Sequence, residues 1–150
     1  MKKLLQLLFP PPYHIEDDFF GRLQFIPIRR NVSGYWEGKR PFAPTGGMVE
    51  TFIDVQGWQT PPTIAQQEFF IQLEERYKHI VPALQTTLRT YLSSYGIKNI
   101  PADMADIRPC GLDICVPDEA SWDFYFECDE GNHYVFSMMG WEVECVVVNG

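Results

Sequence analysis

Cys128 and His133 are the residues whose types and spacing come nearest to nucleophilic chemistry in this chain. Between them lies DEGN, a turn sequence flanked by alternating aromatic and polar residues, so a hairpin is expected with Cys128 directly opposite His133. Opposed strand residues bring their Cβ atoms to about 4.5 to 5.5 Å, close enough for an imidazole to activate a thiol. The bland alternative is a small core cysteine beside a strand-end histidine. No oxyanion hole or orienting acid is evident, so no catalytic residue is assigned, and a thiol hydrolase built on this pair stands as the alternative to a non-enzymatic protein.

Other chemistries find less. The sequence CGLDIC places four residues between Cys110 and Cys115, and no Cys-x-x-Cys pair occurs, so the spacing carries no zinc signal. DEGN lacks the ligand series of a calcium loop, and TGG at 45–47 is followed by a strand pattern and not by a helix, which removes a phosphate cradle. Glu142 and Glu144 share one side of a strand, as a carboxylate pair would, but alternating surface acids explain them as well. No metal and no cofactor are expected.

Charge is the strongest bulk signal. Residues 1–100 carry 11 Lys and Arg against 9 Asp and Glu, whereas residues 101–150 carry a single Arg against 11 acids, and the whole chain is at −8. Such a surface repels nucleic-acid phosphates and anionic lipid headgroups and steers basic proteins. The expected contact surface is therefore acidic: Asp123, Glu127, Asp129, Glu130, Glu142 and Glu144, with Tyr125 and Tyr134 as aromatic anchors on the same face. A basic protein is the expected partner, with no nucleic acid and no membrane; a homodimer in which Val146 and Val148 pair or pack is the competing assembly.

Elements must hold these groups in place. With 45% hydrophobic residues, including 11 Phe, 7 Tyr and 4 Trp, a chain of 150 residues can build one core without metals or disulfides. One domain over 1–150 is expected, with reduced cysteines. MKKLLQLLF is too short for a leader or a membrane span and is followed by three prolines, so residues 1–12 read as a docking segment. FFGRLQFIPI, YWEGKRPF and MVETFIDV read as an N-terminal meander. From Thr63, capped with Gln66, the period turns helical, and Pro82 is expected to divide the stretch into two helices, the second ending at Gly96. Asn99 to Pro109 reads as loop, and Leu112, Ile114 and Val116 as a fourth strand.

Trp122 to Val148 then reads as three strands. Trp122, Phe124, Phe126, Cys128, His133, Val135, Ser137 and Met139 are expected on one face, with Asp123, Tyr125, Glu127, Tyr134, Phe136 and Met138 on the other; a loop of different length would invert the pairing. In the last strand Trp141, Val143, Cys145 and Val147 are expected on one side and Glu142, Glu144, Val146 and Val148 on the other. The expected fold class is α+β: two antiparallel β-meanders, about seven strands in total, with a central pair of helices packed on one face.

DDFFGRLQF, GYWEGKRPF, TPPTIAQQEFF and WDFYFECDEGNHYVFSMMGWEVECVV together resemble small bacterial proteins of unknown function found in genomic neighbourhoods with polymorphic-toxin immunity proteins. The resemblance implies a cytoplasmic, non-enzymatic bacterial protein, with neutralisation of a toxin as one role it could fill.

Overall fold

The computed structural model describes residues 13–29, 33–46, 50–57, 60–96, 107–114, 121–128 and 133–149. The proposed docking segment 1–12 lies outside them. Strands β1 (His14–Asp17), β2 (Gly21–Arg29), β3 (Ser33–Pro41) and β4 (Glu50–Gly57) precede one helix, α1 (Ile64–Ser94); β5 (Ile107–Ile114), β6 (Ser121–Cys128), β7 (His133–Met139) and β8 (Glu142–Asn149) follow it. The strands form one sheet in the order of the sequence. All neighbours are antiparallel except β4 and β5, which run parallel because α1 carries the chain back between them.

This corrects the expected fold class. The two meanders are not separate: β4 and β5 pair edge to edge and fuse them into one mixed eight-stranded sheet. The additional strand is β1, whose four residues HIED carry too little alternation to be read as a strand. It is held because the Asp17 carboxylate accepts the backbone N–H groups of Phe19 and Phe20, and Gly21, at φ +78°, closes the turn into β2.

The expected pair of helices is also corrected: α1 runs unbroken for 31 residues through Pro82. An interior proline costs about 3 kcal/mol against alanine. Pro82 is exposed, on the side away from the sheet, where water can reach the carbonyl it leaves unbonded. Beyond it Leu84, Leu88 and Leu92 are all buried. At about 1.5 to 3 kcal/mol for each buried leucine, packing of the second half outweighs the proline.

The helix start follows the sequence closely. Gln66 Oε1 accepts from the Thr63 N–H at 2.9 Å while Thr63 Oγ1 accepts from the Gln66 N–H at 3.3 Å. Gln66 is itself buried, and its Nε2 donates to the Gln56 carbonyl at 2.6 Å, fixing α1 to the end of β4. Trp36 Nε1 binds the Thr60 carbonyl at 2.7 Å and holds the same connection.

One face of the sheet packs against α1. Leu23, Ile53, Leu112, Phe124, Phe136 and Val146 are buried there, and Phe124 meets the helical Tyr77 edge to face. Phe69 of α1 stacks on Trp141, whose ring also lies under the Arg76 guanidinium, and Trp122 Nε1 binds the Gly140 carbonyl. No described element covers the opposite face. Among the described residues no helix is long and apolar enough to cross a membrane.

Candidate functional site

Register aligns side chains into rows across the open face. Gln24, Glu37, Asp54 and Asp113 are successive partners on β2, β3, β4 and β5. Gly111 opposite Tyr125 and Leu112 opposite Phe124 set Asp113 level with Asp123 on β6, and Ser137 and Cys145 continue the row. Four carboxylates, Glu37, Asp54, Asp113 and Asp123, thus occupy four adjoining strands. None forms an ion pair with a described residue. Like charges facing each other across strands oppose folding.

The row responds electrostatically. Burial, then the neighbouring Asp113 and Glu37 carboxylates, push Asp54 up to about 7. Asp113 is raised by burial and by Asp123, against a hydrogen bond from the Tyr125 hydroxyl, 3.2 Å from its Oδ2, which favours the ionised form. The same burial and the same acids raise Tyr35 and Tyr125, so both phenols remain protonated donors. Asp123 Oδ1 accepts from Ser137 Oγ at 2.8 Å.

A second row lies beside the acids: Lys39, Phe52, Gly111, Tyr125, Val135 and Val147. Phe52 and Val147 are about half exposed, and the Lys39 ammonium lies 4.4 Å from the Phe52 ring centroid. A Cβ on Gly111 would stand 3.3 Å from Tyr125 Cβ, so the absent side chain lets Tyr125 lie close over β5.

A third row contains Arg108, Glu127 and His133. Cys110 joins it through a bulge: Pro109 pairs with Phe126 and Gly111 with Tyr125, which leaves Cys110 as the extra residue. Donor atoms of Cys110, Glu127 and His133 all lie within 4.8 Å of one another. Arg108 Nη2 is 3.6 Å from Glu127 Oε1, with both side chains substantially exposed. Burial, then Glu127, push the Cys110 thiol up to about 11, so it is not an activated nucleophile at neutral pH.

The expected contact residues divide. Asp123, Tyr125 and Glu127 share the open face. Tyr134 does not: it is 4% exposed on the helix side, opposite Phe126 and packed with the core. The hairpin turn is one residue longer than expected, so His133 faces Glu127 while Cys128 pairs with Ile107. That shift moves His133, Val135, Ser137 and Met139 to the open face and Phe136 and Met138 to the core, and it undoes the expected opposition of Cys128 and His133. Asp129 and Glu130 lie outside the described residues.

Glu142, opposite Met139 beside the Gly140 turn, is exposed at the margin of the open face. Glu144 is the extra residue of a bulge in β8, between Val143 opposite Met138 and Cys145 opposite Ser137. The bulge reverses the alternation after it, so Val146 and Val148 pack toward the core and not on the side of Glu142 and Glu144 where they were expected. The exposed valine is Val147.

Glu37, Asp54 and Asp113 were not singled out in the sequence, and Cys110 was weighed only with Cys115 and set aside. Alternation in YWEGK and TFIDV marks Glu37 and Asp54 as outward-facing, but their alignment with Asp113 requires the parallel register of β4 on β5. Comparison with protein-family models, with curated proteins and with solved structures finds no match to this chain.

Proposed function

We propose that this chain is a non-enzymatic binding module that receives a basic protein on the open face of its sheet. The observation that carries this reading is the row Glu37, Asp54, Asp113 and Asp123, in which no carboxylate forms an ion pair among the described residues. Aligned acids on adjoining strands work against the fold, as the raised Asp54 and Asp113 reflect, and a cationic partner relieves that repulsion when it binds. Tyr35, Tyr125, Phe52 and Val147 border the row, so apolar contact is available beside the charge, as a stable interface requires. Glu127 and Glu142 extend the negative field to the margins of the face. A cytoplasmic immunity protein acting on a basic toxin domain agrees with this chemistry.

The test compares two double variants of equal charge change. Asp113→Asn with Asp123→Asn neutralises the row, and Glu68→Gln with Glu75→Gln neutralises exposed acids of α1. Association with poly-L-lysine, measured against ionic strength, should be slower and less salt-dependent for the first variant only. Equal effects from both would leave general attraction to an acidic molecule as the whole explanation.

A further inference from the structure

We propose that Cys110, Glu127 and His133 form a transition-metal site, with Zn2+ as the metal the donor set fits best. Three adjacent strands supply one donor each: a thiol from β5, a carboxylate from β6 and an imidazole from β7. These atoms already lie within 4.8 Å of one another on paired backbone. A metal placed between them would draw each donor in to about 2.0 to 2.3 Å.

The backbone favours the arrangement. Pro109 has no N–H to give the ladder, and the bulge beside it releases Cys110 from strict alternation, turning its side chain toward the row of Glu127 and His133. The mixed sulfur, nitrogen and oxygen set suits zinc and cobalt, whereas magnesium and calcium take oxygen alone. Three protein ligands leave a fourth position, which faces water because His133 is exposed. Arg108 is the competitor. Its pairing with Glu127 is long and largely solvated, and exposed pairs of that kind contribute little.

The acidic row does not enter this inference; Glu127, at the margin of the face, is the one residue shared with the proposed contact surface. The two fail separately.

Titrating the full-length reduced protein with Co2+ reports the ligands directly. A thiolate-to-cobalt charge-transfer band and intense visible bands of four-coordinate Co2+ should appear, and Zn2+ should abolish both. In Cys110→Ser the charge-transfer band should vanish, although Cys115, Cys128 and Cys145 remain. In His133→Ala, a change at an exposed position that leaves the fold intact, affinity should fall by about 100-fold or more, since even outer-shell partners cost 10- to 100-fold. Asp54→Asn with Asp113→Asn should retain both band and affinity. Absence of the band in the unmodified protein overturns the site, as does unchanged Co2+ binding in both ligand variants.

Discussion

The Tyr125 hydroxyl on β6 donates to Asp113 Oδ2 on β5 across 3.2 Å, linking the aromatic row of the open face to its carboxylate row. The bond is long for O–H to O; it favours the Asp113 anion against the burial that raises this carboxyl, and it adds to the burial and acids that raise the Tyr125 phenol. Tyr125→Phe should move the Asp113 pKa further upward, because the hydrogen bond that favours its anion is gone. Side-chain carboxyl titration by NMR reads this; an unmoved or lowered Asp113 would show that the bond has no such role.

Asp54 gives the face a pH dependence of definite sign. Its folded pKa of about 7 stands above its ordinary value of 3.8, so the folded chain binds the extra proton. Stability from this group is full below pH about 4, declines as pH rises and is lost above about 7. Asp54→Asn should therefore raise Tm at pH 8, by about 2 to 4 °C for each kcal/mol recovered, and change it little at pH 4. Thermal unfolding at the two pH values is sufficient; a larger gain at pH 4 contradicts the assignment.

Continuity of α1 predicts opposite effects from two changes two residues apart. Pro82→Ala restores a backbone donor at an exposed position and should stabilise by about 1 to 3 kcal/mol. Leu84→Ala empties a fully buried site and should cost about 2 to 5 kcal/mol. Denaturant unfolding checks both. Were the chain divided into two helices at Pro82, alanine there would confer no gain.

Gly34 has a stricter steric role than Gly38, the other glycine of β3. A Cβ there would stand 2.4 Å from Phe25 Cζ and 2.6 Å from the Ile26 carbonyl oxygen, and the latter is backbone that cannot swing aside. Gly34→Ala should destabilise by about 1 to 3 kcal/mol through displacement of β2. Urea midpoints compare it with wild type, and a neutral result would show that β2 yields without cost.

Charge reversal separates the centre of the face from its margin. Glu142→Lys with Glu144→Lys should slow association with a basic partner, while Asp113→Lys with Asp123→Lys should abolish it. Glu142 and Glu144 are exposed near a turn and a bulge, whereas Asp113 and Asp123 are half-buried in the row. Stopped-flow or surface-based kinetics at several salt concentrations resolves the two cases; a stronger effect at the margin would relocate the contact.

Several features were legible because they depend on local chemistry. Thr63 and Gln66 cap the helix through bonds three residues apart, Gly96 ends it at φ +68°, and Gly140 turns β7 into β8 at φ +59°. Alternation also identified most strands, since a half-buried strand repeats every two residues whatever its neighbours are. It placed Asp123, Tyr125 and Glu127 on one face together.

Other features depended on contacts between distant residues. One extra turn residue before His133 moved Tyr134 to the core, and one bulge at Glu144 did the same for Val146, because a shift of a single residue exchanges the faces of a strand. Pro82 was overridden by leucines that find their burial only once the sheet lies beneath them. By itself the sequence determined the amphipathic pattern, the caps and turns, and the acidity of the last third. Only the tertiary structure decided that β4 runs parallel beside β5, and that pairing brings Glu37 and Asp54 from one half of the chain into line with Asp113 and Asp123 from the other. Strand order and register are set by the total burial of the assembled sheet, a quantity that no local stretch contains.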